Sequence, residues 1–320
     1  MKIGKLLWVS NKFEGKKDHN AFTDVKRFGE IFFLAFRTGE EHIKKRDGKI
    51  KVFTAVSKIN YFMPAHFPEM KGDMRDPHIF EYEGRPAVIF ALINNETPSA
   101  YISSMGEDGK FGKPFKFKDE FVPWRPIKYK GQMFFPGYHH GKEANKISRD
   151  IPKGIVRQKM GSRVYVEGKK EIICKDPSSN ETELFEYGGE LYAIVRMEGR
   201  KALLFKRDDS KKEWSILFNC GRMLQGPCVK VVGDRIFVVG RDSDLMKDYY
   251  DNKDKLIERV IMQELDLKKG SWGDFVNIIS GINLDAGYAG LEVMEDNKLM
   301  MSFYAGNEMG ANVFVFEVAE

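Results

Sequence analysis

Apolar residues in this chain come in short runs that alternate with polar ones or stand as four to six consecutive positions, the patterns of half-buried and fully buried β-strands. Helix-period stretches are scarce. Six segments repeat one plan, a polar start, an alternating strand, a tight turn rich in Gly, Asp or Asn, and a second apolar strand. They run from Asn20 to Arg37, Asp76 to Leu92, Arg125 to Tyr138, Glu181 to Arg196, Gly226 to Arg241 and Tyr288 to Tyr304, and successive starts lie 45 to 62 residues apart. Glycine, Asp and Asn tolerate the positive φ of a two-residue hairpin, so each segment predicts a hairpin.

Between the hairpins lie further β-prone runs, at Lys49–Val56, Lys201–Arg207, Arg259–Leu267 and Asn312–Ala319. Three or four strands per repeat of about 50 residues make the blade of a propeller, and six such repeats fill 320 residues. The pattern predicts an all-β chain, a six-bladed β-propeller forming a single domain over residues 1–320. A jelly roll or sandwich is also all-β but has no six-fold period. The run Lys5–Ser10 is expected to close the ring beside Asn312–Ala319, and the polar stretch Asp242–Leu256 reads as a loop with a turn or two of helix.

Composition narrows the function classes. With 42% hydrophobic and 31% charged residues the chain has enough apolar surface for a large core and is not a disordered segment. The formal charge of +5 is scattered over loop-like Lys/Arg pairs rather than gathered in a stripe, so nucleic acid is not expected as a partner. No apolar run is long enough for a signal peptide or membrane span, which predicts a cytoplasmic protein without a membrane partner. Cys174, Cys220 and Cys228 form no C-x-x-C pair and read as buried free thiols. No cofactor or metal is expected, since His139 and His140 are adjacent and point to opposite faces of a strand. Nothing in the sequence sets an oligomeric state.

In a propeller the inner strands converge on the central axis, so polar residues at the starts of the first strands and the ends of the second share one face. Those positions hold His19, Asn20, Asp76, Arg125, Glu181 and Tyr288, with Arg37, Tyr138, Arg196, Arg241 and Tyr304 returning to them. Charged groups beside buried strands must pair or hold a ligand. For Arg37, Arg196 and Arg241, salt bridges between blades to Asp76 and Glu181 compete with ligand contact.

The segments His19–His42, Asp73–Phe90, Asn180–Arg196, Gly226–Arg241 and Gly287–Tyr304 resemble, in order and spacing, the sialidase superfamily of six-bladed propellers. The resemblance implies Tyr288 as nucleophile, Glu181 as its partner, and Arg196 and Arg241 as two arginines of a carboxylate clamp. It places the acid/base group in the loop after the first hairpin, where Asp47 is the candidate, with Glu40 and Glu41 beside it. His19-Asn20 stand where sialidases carry the first clamp arginine, and the Asp-box turns survive only as Arg207–Trp214 and Ser104–Phe111. A carbohydrate-active exo-glycosidase is therefore expected, acting on an oligosaccharide or glycoside with a terminal sugar, acidic sugars included. Arg37, Arg196, Arg241, His19, Asn20, Asp76, Arg125, His42 and Tyr138 are the expected substrate contacts. Two alternatives stay open: a non-catalytic glycan-binding propeller, and a uronate lyase using His19 and Tyr288 as acid and base.

Overall fold

A computed structural model describes residues 2–10, 18–42, 48–56, 61–94, 97–139, 161–247, 254–282, 284–307 and 310–319. Strand β1 spans Lys2–Val9. A first antiparallel series follows, β2 (His19–Phe28), β3 (Ile31–Gly39), β4 (Lys49–Val56) and β5 (Met63–Ala65). The second is β6 (Asp73–Tyr82), β7 (Arg85–Asn94), β8 (Thr97–Ser104) and β9 (Phe115–Asp119). The third opens with two short strands, β10 (Phe121–Pro123) and β11 (Ile127–Tyr129), both paired with β12 (Gln132–His139), then β13 (Ser162–Val166) and β14 (Lys169–Cys174). Next come β15 (Ser179–Tyr187), β16 (Glu190–Met197), β17 (Leu203–Asp208) and β18 (Glu213–Asn219). A fifth series holds β19 (Gln225–Val232), β20 (Arg235–Lys247), β21 (Asp254–Asp266), β22 (Ser271–Trp272) and β23 (Val276–Ile282), and the last β24 (Asp285–Val293), β25 (Leu299–Asn307) and β26 (Gly310–Ala319).

All six expected hairpins form, and β1 pairs with β26, so the first strand joins the last series as the sequence predicts. Hydrogen bonds define five sheets, because one parallel bridge, His19 to Ala311, links the β24–β26 series to the β2–β5 series in an eight-stranded sheet. The arrangement is propeller-like: β2 packs on β6 and β24, β24 on β19, β19 on β15 and β15 on β12, while β10 meets β7 and β8. Apolar clusters fill the wedges between successive sheets, for example Phe33, Val52, Met74 and Phe90. The three cysteines are buried and free. Among the described residues no helix is long and apolar enough to cross a membrane.

Backbone amides on the inner strands face neighbours with which they form no ladder, and carboxylates from the adjoining strand satisfy several of them. Asp24 accepts the Ile79 amide at 2.8 Å, Glu183 the Val229 amide at 3.3 Å, and Glu292 the Arg27 amide at 3.4 Å. The Asp-box remnants sit at equivalent turns between third and fourth strands, where Asp208 accepts the amides of Ser210 and Lys211, and Asp108 that of Lys110.

One expectation fails here. The polar stretch from Asp242 is strand as far as Lys247, paired along its whole length with β21. Its polar side chains pair across strands, Arg259 with Asp242 at 3.3 Å and with Asp244, which offsets the missing apolar face.

Candidate functional site

The inner strands share a distortion that builds the site. In β2, β6, β15, β19 and β24 one extra residue is inserted just after the strand begins. Such a bulge turns side chains out of the pleat. Phe22, Asp76, Gly226 and Tyr288 take left-handed backbone angles there, with φ of 57°, 49°, 59° and 48°. Only glycine adopts that region freely. A Tyr and an Asp held there reach the axis from otherwise buried strands.

Tyr288 Oη donates to Glu181 Oε1 at 2.6 Å, and Arg196 Nη1 stands 2.5 Å from that oxygen and 3.4 Å from the phenol. The other carboxylate oxygen of Glu181 takes the Gly226 amide at 2.7 Å. Burial, and then the Glu181 charge, push the Tyr288 phenol well above its ordinary range, against the pull of Arg196 and Arg241. Arg241 lies over the Tyr288 ring at 5.8 Å, donates to Gln225 at 2.9 Å, and has Glu258 at 3.6 Å and Asp285 at 3.7 Å from Nη1. A phenol bonded to a carboxylate between two guanidinium groups can pass its proton to the carboxylate and have the resulting charge stabilised.

Across from Glu181, burial raises the Asp76 carboxyl to about 7; Arg75 opposes the rise, and Glu181 and Asp73 add to it. Asp76 and Glu181 also act on Tyr138, whose phenol burial drives well above its usual range. The fully buried Trp124 packs against Tyr288, its ring 5.9 Å from that of Tyr288 and its N–H on the Pro227 carbonyl at 3.1 Å.

These positions sit on a fold already known. The chain superposes on a protein of unknown function from Dyadobacter fermentans DSM 18053 over 100% of both chains, with a TM-score of 0.71 and 12% identity. It also matches Trypanosoma rangeli sialidase in complex with 2,3-difluorosialic acid, a covalent intermediate, with a TM-score of 0.67 and 11% identity. That match covers 93% of this chain and 54% of the sialidase, so the chain spans about half the sialidase's length. The chain shares the sialidase fold. The likeness is one of fold, and neither a family model nor a curated protein matches the sequence.

Tyr288, Glu181, Arg196, Arg241, Asp76 and Tyr138 come together, and His42 shares the Phe22 ring with Tyr288; Arg37, Arg125, Asn20 and His19 do not join them. Arg37 is 0% exposed, locked to Asp73 at 3.0 Å and to the Glu41 carbonyl at 3.2 Å, because Asp73 rather than Asp76 lies opposite it. Arg125 lies on the far side of Trp124, its guanidinium divided among Asp24 at 2.9 Å, Glu183 at 3.2 Å and the carbonyls of Pro227 and Ala289. It lines a separate cavity of about 220 Å³ with Asp24, Glu183 and Lys230. Asn20 is buried two positions before the bulge, so Phe22 takes the place expected for it. His19 is fully buried with Nε2 on Asp285 Oδ2 at 2.8 Å, which removes it as a ligand contact and takes the His19–Tyr288 elimination pair apart. His139 pairs with Glu120 at 3.4 Å, while Asp47 and His140 fall outside the described residues.

Sequence reasoning missed Asp285 and Asp73. Asp285 accepts from His19, from His42 Nδ1 at 2.6 Å and from Tyr304 Oη at 2.7 Å. Asp73 binds Arg37 and, at 2.5 Å, Arg75. His19, Asp73 and Asp285 each stand three residues before a left-handed bulge residue, a spacing that would have revealed both carboxylates.

Proposed function

We propose that this chain is a six-bladed propeller, with the eight-stranded sheet counted as two blades, and a glycoside hydrolase acting on a terminal acidic sugar. The observation that carries the reading is the 2.6 Å bond from Tyr288 to Glu181, with Arg196 beside both. A carboxylate nucleophile repels an anionic sugar, whereas a neutral phenol does not, and tyrosine is a known departure from the two-carboxylate rule. Glu181 takes the phenol proton as Tyr288 attacks the anomeric carbon. Arg241 and Arg196 hold the sugar's carboxylate. The covalent intermediate of the sialidase that shares this fold is in keeping with such chemistry.

Aryl glycosides of sialic and uronic acids test the reading. Tyr288→Phe and Glu181→Gln should each lower turnover by roughly 10² or more with affinity nearly unchanged. The double variant should be little worse than either, because the pair acts as a unit. Full activity in Tyr288→Phe would remove the nucleophile.

A second reading, glycan binding without turnover, is favoured by one observation: Arg37 is sealed against Asp73, so three arginines do not converge. It expects no hydrolysis by the wild type and loss of affinity chiefly on replacing Arg196 or Arg241 by alanine.

A further inference from the structure

His42 follows the first hairpin, and its ring is held by an unusual carboxylate. Asp285 Oδ2 contacts both His42 Nδ1 at 2.6 Å and His19 Nε2 at 2.8 Å, and Oδ1 receives Tyr304 Oη at 2.7 Å. Burial alone would raise the Asp285 carboxyl, but the hydrogen bonds from His19 and His42 outweigh it and hold the group well below the usual carboxylate range. An ionised carboxylate only accepts, so all three partners donate. That commits the Nδ1–H of His42 to Asp285 and leaves Nε2 as the ring nitrogen that can give and take a proton. His42 Nε2 has no hydrogen-bond partner among the described residues, and the side chain is 22% exposed, whereas His19 is sealed.

The Phe22 ring meets His42 edge-on at 5.2 Å and Tyr288 at 4.8 Å, so the two flank one side chain. Glu181 reaches the axis from β15, three hairpin series away from the one that His42 follows. The acid that protonates a leaving group stands across the scissile bond from the nucleophile.

One ligand atom from each of His19, His42 and Asp285 lies within 4.8 Å of the other two, which would also suit a metal ion. Two ligands on one ion at about 2.1 Å stand roughly 3 Å or more apart, wider than either contact to Asp285. A ligating His19 would also leave its buried Nδ1–H with no acceptor among the described residues, where metal-bound histidines find one.

We propose that His42 Nε2 is the acid/base of this site, with Asp285, His19 and Tyr304 as positioning residues. The proposal rests on the Tyr288 reading. In the first step Tyr288 Oη bonds to the anomeric carbon as its proton passes to Glu181. The bond to the leaving oxygen breaks with its electron pair, and that oxygen takes the proton from His42 Nε2. In the second, water gives a proton to His42 Nε2 while its oxygen attacks the anomeric carbon. The bond to Tyr288 breaks, and the phenolate recovers its proton from Glu181.

The test compares wild type, His42→Gln and Asp285→Asn on phenyl and dinitrophenyl glycosides of the acidic sugar that the wild type cleaves. In kcat/KM, which reads the first step, His42→Gln should lose roughly 10²-fold or more on the phenyl glycoside, which needs protonation, and under about tenfold on the dinitrophenyl one, where the loss falls on kcat through the second step. Azide should restore turnover by forming the glycosyl azide. Asp285→Asn should lower kcat with KM little changed and move the ¹⁵N shifts of His42 to a mixture of tautomers. Circular dichroism checks that each variant is folded, with His42→Asn as a second replacement. Equal losses on both glycosides overturn the proposal and leave Tyr288 standing, as does zinc binding by the wild type that His42→Gln abolishes. A wild type inactive on every acidic glycoside overturns both readings.

Discussion

Replacing Asp76 by asparagine should stabilise the protein, and only above mildly acidic pH. In the unfolded chain the carboxyl titrates near 3.8, and in the fold near 7, so between those values the native state holds the extra proton. Stability contributed by this group therefore falls as pH rises through that window and levels off above it. Three pH units at about 1.4 kcal/mol each set a ceiling of about 4 kcal/mol, and the partial exposure of Asp76 lowers it to about 2–3 kcal/mol. Asparagine keeps the shape, cannot ionise and tolerates the φ of 49° well. At about 2.1 cal/mol/K per residue, 320 residues melt with an entropy near 0.7 kcal/mol/K, so the gain is about 3–4 °C at pH 8 and about 1 °C at pH 4.5. Thermal melts at the two pH values read it directly. A residue kept for packing would give a loss at both, and a pH-independent offset would refute the origin argued for the raised pKa. An acidic ligand should also bind the wild type more weakly as pH rises through 7, where Asp76 gains charge, while Asp76→Asn shows no such decline.

Arg125→Met should cost about 3–5 kcal/mol, since two carboxylates and two carbonyls lose their buried donor. Urea unfolding should show the deficit shrinking in mild acid, where Glu183, raised by burial to about 7, regains its proton; weaker ligand binding at unchanged stability would put Arg125 at the ligand instead. Gly226→Ala should lower turnover more than stability, because a Cβ there would stand 3.0 Å from Tyr288 Cγ while the φ of 59° costs alanine only about 1 kcal/mol. Parallel kcat and melting measurements decide it.

The six hairpins were legible because period-two apolar runs and turns such as Gly188-Gly189 need only local information. The bulges were not. An inserted residue changes which face the following side chains take without altering the apolar count, so Asn20 was set against Asp76 and Tyr288 where Phe22 belongs. Ion pairing was equally hidden: Arg37 and Arg241 occupy matching positions on second strands, opposite Ala21 and Gln225, yet one is sealed by Asp73 at 3.0 Å and the other bonds Gln225 at 2.9 Å with Glu258 and Asp285 more loosely placed at 3.6 and 3.7 Å. The extended strand at Asp242–Lys247 escaped because its stability comes from cross-strand charges rather than alternation.

Glu181 shows how a site can grow out of the requirements of the ring. Inner strands of neighbouring sheets leave amides that must be satisfied, and at Ile79, Val229 and Arg27 a carboxylate from the adjoining strand does so while also pairing with a cation, Arg125 or Lys230. Glu181 performs the same service for Gly226 with Oε2, which fixes its rotamer and aims Oε1 at Tyr288 and Arg196. Structure and chemistry are thus divided between two oxygens of one group. Glutamine at this position can still accept from Gly226 with its oxygen, but must then turn its NH₂ toward the Arg196 cation and a phenol with no acceptor left for its proton. Loss of turnover with a modest loss of stability is the signature of that division, whereas a carboxylate serving the ring alone, such as Glu183, would show loss of stability without loss of turnover.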